Sequence, residues 1–199
     1  MKFNTHSHTA PAVVIDMDCF TGVQSIRILA KRGVPVIGVA KDAGHYCAKT
    51  RFCQRKIFVD TKSEALIDKL VEIGPSLPEK AVLFPCADTS VLLVSAHRER
   101  LVKWYHIALP EHKTVAMLLD KMSFIEFAQQ QELPIPQVYF LRNRAQAEQA
   151  AEKMSYPCIL KRTLETKKWE ANARDKAFEV ADEHALLRLF VDQRHDALR

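Results

Sequence analysis

The chain has 199 residues, 48% of them hydrophobic, and a formal charge of +5, which is ample apolar material for one large packed domain or two small ones. No apolar run approaches the roughly 20 residues that span a bilayer, and the start, residues 1–11, lacks the basic and apolar regions of a signal peptide, so a cytoplasmic protein with no membrane partner is expected. The five cysteines are odd in number and form no Cys-x-x-Cys pair, which argues against both a disulfide framework and a zinc site.

Residues 1–11, with His6 and His8 among Ser, Thr and Asn, read as a disordered leader, and two histidines without partners do not make a metal site. Ala12 to Ile15 is a continuous apolar run of the kind buried on both faces of a parallel sheet. A loop from Asp16 to Gly22 leads into a helical pattern on Val23, Ile26, Leu29 and Ala30 that ends near Gly33, and Val34 to Val39 is a second strand, giving a right-handed βαβ unit. Of the three glycines in a dinucleotide fingerprint the first loop has only Gly22, which excludes a nicotinamide or flavin site, although a helix start there still offers amides to an anion. Asp16 and Asp18 read as substrate contacts, as caps or as solvated loop acids. The segment from Lys41 to Arg55 is long for a plain turn and carries His45, Tyr46, Cys47, Thr50 and Arg51. Arg51 suits a carboxylate or phosphate held by two parallel hydrogen bonds, or a surface ion pair. Lys56 to Val59 is a third strand, followed by a helix capped by Thr61 or Ser63 and ending at Gly74. Ala81 to Phe84 is a fourth strand, Asp88, Thr89 and Ser90 cap the next helix, and Tyr105 to Pro110 is a fifth strand. This alternation specifies an open, mostly parallel α/β sheet over residues 12–112.

A second unit is expected over residues 113–199, opening with Thr114 as a helix cap. Lys121 starts a helical segment, Leu133 to Phe140 is extended, Arg144 to Met154 is helical again, and the apolar run from Tyr156 ends at Lys161. A cation at a helix start is locally unfavourable, so Lys121 either faces an anion supplied from elsewhere or snorkels at the surface. Lys161, Arg162, Lys167, Lys168, Arg174 and Lys176 form a basic concentration that faces phosphates or is a solvated surface, and no aromatic-basic motif accompanies it, so nucleic acid is not an expected partner. Ala177 to Val180 reads as a returning strand and Asp182 to Val191 as a helix capped by Asp182.

The ordered set Asp120, Lys121, Phe124, Pro134, Pro136, Tyr156, Pro157 and Lys161 resembles the first lobe of the ATP-binding region in the ATP-grasp superfamily, in particular its carboxylate-amine ligases, relatives of biotin carboxylase and the carbamoyl phosphate synthetase large subunit. The likeness runs from about Ala12 to about Phe190. It implies a Rossmann-like pre-ATP-grasp domain followed by a small α+β first lobe, with ATP and magnesium as cofactors and a small-molecule carboxylate and an amine as substrates, homodimer formation being open. By the same resemblance Lys121 and Lys161 contact nucleotide phosphates, with Lys176 as a third contact, and Gly22 and Arg51 contact substrate, Thr50-Arg51 matching a Ser/Thr-Arg pair. The reaction implied is phosphorylation of the carboxylate and displacement of phosphate from the acyl phosphate by the amine. Where the family carries a glycine-rich loop, Leu164 to Asp175 has no glycine, and the last glycine of the chain is Gly74. Magnesium ligands and the adenine-holding segment belong to a second lobe for which no room remains after Phe190, so a truncated chain, inactive alone, is expected. The alternative is a non-catalytic binding or dimerisation module that keeps the fold. The residues by themselves offer no nucleophile, base or metal cluster.

Overall fold

The computed structural model describes residues 9–161 and 177–197, with side chains as far as residue 191. His6, His8, Lys176 and the glycine-free stretch 164–175 lie outside the described residues. The chain divides into two compact units, Met1–Leu119 and Asp120–Arg199.

In the first unit the strands are β1 (Ala12–Ile15), β2 (Val36–Ala40), β3 (Arg55–Phe58), β4 (Ala81–Pro85) and β5 (Tyr105–His106), ordered β3-β2-β1-β4-β5 with every neighbouring pair parallel. All four residues of β1 are buried, because the central strand is covered on both faces. One face carries α1 (Phe20–Lys31), whose Ile26 packs with Val14, Met17, Val36 and Ala40. The opposite face carries α2 (Ala65–Ile73), α3 (Asp88–Ala96) and α4 (Arg98–Leu101), which supply Leu66, Ile67, Leu70, Val94 and Leu101 to a core with Val13, Ile15, Val39 and Leu83. This is a doubly wound sheet, the arrangement that right-handed crossovers produce when the chain moves first to one side of β1 and then to the other.

Several element ends differ from expectation. The first helix begins at Phe20, not Val23, because the Cys19 side chain caps it by accepting the Gly22 amide at 3.3 Å. Thr61 and Ser63 do not cap α2; Thr61 is buried, and the Ser63 hydroxyl donates to the Asp60 carbonyl. Asp88 is the first residue of α3 and Ala87 the capping position, while Ser90, as expected, serves this helix start, its Oγ accepting the Ala87 amide at 3.4 Å. The fifth strand is only two residues long. Thr114 lies inside α5 (His112–Leu119), which is tied to α3 by the Ser95 hydroxyl 2.9 Å from His112 Nδ1.

The second unit contains α6 (Lys121–Gln130), α7 (Arg144–Lys153), β6 (Cys158–Lys161), β7 (Ala177–Val180) and α8 (Glu183–Ala197). The two strands form an antiparallel ladder in which Lys161 faces Ala177. Its core joins Ala147 and Ala151 of α7 to Val180, Leu186 and Phe190, the small alanines letting α7 and α8 approach closely. Asp182 caps α8 as expected, accepting the Ala185 amide at 2.8 Å. Residues 133–140, expected to be extended, form no helix and pair with no strand among the described residues, Pro134 and Pro136 having no N–H to donate, and the Ile135 amide donates to the Leu133 carbonyl at 2.8 Å. The apolar run ending at Lys161 is only half-buried: Cys158 and Leu160 turn inward and Ile159 and Lys161 outward, as one covered face of a two-stranded sheet requires.

Candidate functional site

An open parallel sheet offers a crevice beyond the carboxyl ends of its strands, where the strand order reverses. In the first unit that reversal falls between β1 and β4. Asp16 follows β1 directly. It is buried and adopts φ 63°, a left-handed conformation that aspartate tolerates better than most residues. The Ser90 hydroxyl, from the first turn of α3, lies 2.6 Å from Asp16 Oδ2 and 2.9 Å from the Ala87 carbonyl. The two sides of the reversal are thus joined by one buried polar contact.

Gly22 is buried beneath this turn. A Cβ at Gly22 would stand 2.2 Å from the Asp16 carbonyl oxygen, so glycine is what lets α1 start so close to the end of β1. Its amide is occupied by the Cys19 sulfur. Asp18 accepts the amides of Lys41 and Asp42 at 3.1 and 3.2 Å and so clamps the loop after β1 to the loop after β2. On the β4 side, burial pushes the Cys86 thiol up to about 11, with a hydrogen bond to Ser25 opposing it, so this sulfur stays protonated at neutral pH and is a poor nucleophile.

The long loop after β2 is ordered by a single 3₁₀ turn, Tyr46–Lys49, capped by His45, whose Nδ1 accepts the Cys47 amide at 3.3 Å. Arg51 is exposed just beyond it, its guanidinium carbon 6.0 Å from the centre of the Phe52 ring, and it forms no ion pair among the described residues. Gly22 and Arg51 therefore sit in different settings, one in the packed turn and one at the surface. Between α1 and the 3₁₀ turn lies a concavity of about 340 Å³ lined by Phe20, Val23, Arg27, Tyr46, Cys47 and Lys49, with Thr50. Nothing local groups these residues, because strand β2 separates the two segments and they meet only when the turn folds back onto α1.

In the second unit Lys121 occupies the first position of α6, directly after the capping residue Asp120. The Asp120 carboxylate accepts the Ser123 hydroxyl and the Ser123 amide, and these bonds, the hydroxyl's first, hold its carboxyl below the ordinary range. Lys121 therefore stands at a helix N-terminus whose own cap is already satisfied. Lys161 ends β6 on the exposed face. Among the described residues no group of three or more His, Cys, Asp or Glu is arranged to hold a metal ion, and no helix is long and apolar enough to cross a membrane.

No protein-family model and no curated protein sequence matches the chain. Solved structures do. The N5-carboxyaminoimidazole synthetase of Staphylococcus aureus is similar over 94% of this chain and 45% of its own, with a TM-score of 0.63 at 15% identity. The biotin carboxylase domain of Hydrogenobacter thermophilus 2-oxoglutarate carboxylase, solved with MgADP, ADP and bicarbonate, covers 96% of this chain and 42% of its own, with a TM-score of 0.57 at 14% identity. An L-amino acid ligase from Bacillus licheniformis covers 92% and 42%, also with a TM-score of 0.57 at 14% identity. The chain spans less than half the length of each of these proteins, and at such identities the likeness is one of fold.

Proposed function

We propose that this chain, which has the fold of the N-terminal lobes of ATP-grasp carboxylate-amine ligases, is the corresponding portion of an enzyme that activates a carboxylate with ATP and joins it to an amine. The observation that supports this most is the placement of the two lysines on that fold. Lys121 opens the first helix of the second unit and Lys161 ends an edge of its two-stranded sheet on the exposed face. Both are cations at element ends, suited to phosphate oxygens.

ATP would supply the phosphoryl group that turns the acid into an acyl phosphate open to attack by the amine. Lys121 and Lys161 would bind and orient the phosphates by neutralising their charge, with Lys176 assisting, which makes electrostatic positioning the main contribution of this chain. In the first unit Arg51 would hold the substrate acid, and Gly22 would act by keeping the turn after β1 close to the start of α1. Among the described residues no group of three or more His, Cys, Asp or Glu is arranged to hold magnesium. The 199 residues alone are proposed to be inactive, the remaining nucleotide contacts coming from a further lobe.

The test is ATP-dependent phosphate release by the complete product of the gene, supplied with mixtures of acids and amines. Lys121→Ala and Lys161→Ala are each expected to lower kcat/KM by about 100-fold, the usual scale for removing one electrostatic contact to the transition state. Unchanged turnover in both variants would remove the reading. A second reading, a binding or dimerisation module that retains the fold, is favoured by the lack of any glycine after Gly74, where a phosphate-covering loop ordinarily needs several. It expects no ATP turnover in the complete product.

A further inference from the structure

We propose that the concavity between α1 and the 3₁₀ turn is a binding site for a small aromatic anion, a molecule with a flat apolar body and one carboxylate or phosphate. The proposal concerns the first unit alone and does not rest on the ligase reading.

The shape follows from two spacings. Phe20, Val23 and Arg27 lie at i, i+3 and i+7 of α1 and so share one face of the helix. The opposing wall is Tyr46, Cys47 and Lys49 of the 3₁₀ turn. Val23 and Cys47, 4% and 3% exposed, make an apolar floor. Phe20 and Tyr46 rise from it at 69% and 74% exposure, an unusual amount of aromatic surface to leave in water on both walls of one cleft. Tyr46 is held in place, since the His45 ring lies 4.5 Å from it, tilted by 33°, while His45 Nδ1 is anchored by the Cys47 amide. Two rings standing over an apolar floor accept a planar ligand, and the volume of about 340 Å³ falls at the lower end of the range for small-molecule pockets.

The charge of the ligand follows from the rim. Arg27 and Lys49 line the same concavity from opposite walls, and neither makes a hydrogen bond or an ion pair among the described residues. No acidic residue lies in the first turn of either α1 or the 3₁₀ helix. The ion pairs of this unit, such as Lys41 with Asp60 and Arg100 with Asp68, lie elsewhere. Two uncompensated cations at the mouth of an aromatic cleft select for an anion, the guanidinium giving two parallel hydrogen bonds to a carboxylate or phosphate and the ammonium a point charge.

The experiment is a titration of the whole 199-residue chain followed by amide chemical shifts, with three probes: 3-phenylpropionate, phenyl phosphate and the uncharged 3-phenylpropanamide. The expected result is saturable shifts at Val23, Arg27, Cys47 and Lys49, with at least one anion binding five-fold or more tighter than the amide. Its preference for phosphate or carboxylate names the source of the negative charge. The Arg27→Gln/Lys49→Gln double variant should lose that five-fold advantage and leave amide binding unchanged, whereas Phe20→Ala or Tyr46→Ala should weaken all three probes. All four positions are exposed, so the variants are not expected to perturb the core. The proposal is overturned if the amide binds as well as both anions, if no probe shifts these amides, or if the same amides shift with protein concentration alone, which would make the cleft a contact between copies of the chain.

Discussion

Replacing Gly22 by alanine sets two opposing effects against each other inside α1. On propensity alone the change should stabilise the helix, because alanine is about 1 kcal/mol better than glycine in a helix interior. The close approach to β1 reverses the sign. The new Cβ would meet three main-chain atoms, the Asp16 oxygen at 2.2 Å, the Asp16 carbonyl carbon at 2.8 Å and Met17 Cα at 2.9 Å. None can rotate away as a side chain does, and ordinary carbon contacts need about 3.5 Å, so the end of β1 or the start of α1 must move by roughly 1 Å. Overpacking of this kind costs about 1–3 kcal/mol, occasionally more. The same shift strains the bond from the Cys19 amide to the Asp16 carbonyl, 3.1 Å, worth about 1 kcal/mol. The sum is a net loss of about 1–3 kcal/mol. Urea unfolding followed by Trp104 fluorescence, in a Trp169→Phe background, measures it. Gly33→Ala is the control, since Gly33 has φ +81° but nothing within 4 Å of an added Cβ, and it should lose only the roughly 1–2 kcal/mol of a left-handed backbone. A Gly22→Ala protein as stable as wild type, or less affected than Gly33→Ala, would refute the close-packing reasoning. A confirmed loss would also mean that reduced activity in this variant reports a displaced turn and not a missing substrate contact.

Three further outcomes are expected. Ser90→Ala removes the hydroxyl beside the buried Asp16 carboxylate and should lower stability by about 2 kcal/mol, read as a drop in urea midpoint with an unchanged slope. Tyr105 is fully buried and donates to the Leu70 carbonyl at 2.7 Å, so Tyr105→Phe should lose about 1 kcal/mol at neutral pH. Burial also pushes the Tyr105 phenol well above its ordinary value, with Arg55 opposing; the folded state therefore keeps a proton that the unfolded chain gives up near pH 10, the associated stability is present below that pH and is lost above it, and Tyr105→Phe should flatten the alkaline fall. Cys86 follows the same sign in a lower window: its folded value of about 11 exceeds the ordinary 9.0, so its contribution is complete below pH 9 and disappears as pH rises through about 11, and urea midpoints of Cys86→Ala should fall less than those of wild type between those limits.

The sheet was legible because its signals are local. A run such as Ala12 to Ile15, apolar at every position, suits a strand covered on both faces, and the structure places it at the centre of the sheet. The positions of Lys121 at the start of α6 and Lys161 at the end of β6 were legible for the same reason, each following from the residues beside it, whereas the alternating burial of β6 was not. The caps were less legible where a long-range contact shares the side chain. Ser90 accepts the Ala87 amide at 3.4 Å at its own helix start, yet its hydroxyl also sits 2.6 Å from a carboxylate 74 positions earlier in the chain. Cys19, a poor cap by type, caps α1 because Gly22 brings its amide within reach. The cleft between Phe20 and Tyr46 was illegible altogether, since nothing in either segment announces the other.

These misreadings cluster around one place, and their common cause is physical. A doubly wound sheet must leave a gap where adjacent strands send their connections in opposite directions, and the gap here lies between β1 and β4. Filling it demands residues that break local rules: an aspartate at φ 63°, a glycine inside a helix, a helix-start serine whose hydroxyl also reaches a buried carboxylate across the gap. Each departure carries a local penalty that only the surrounding packing can offset, so each persists because the turn after β1 must be held in one conformation. A turn held that way places the start of α1, and with it Phe20 and Arg27, at a fixed angle to the sheet. The strained turn and the aromatic cleft are therefore coupled through the first turns of one helix, and a change at Asp16 or Ser90 should be felt as a change in the cleft even though neither residue lines it.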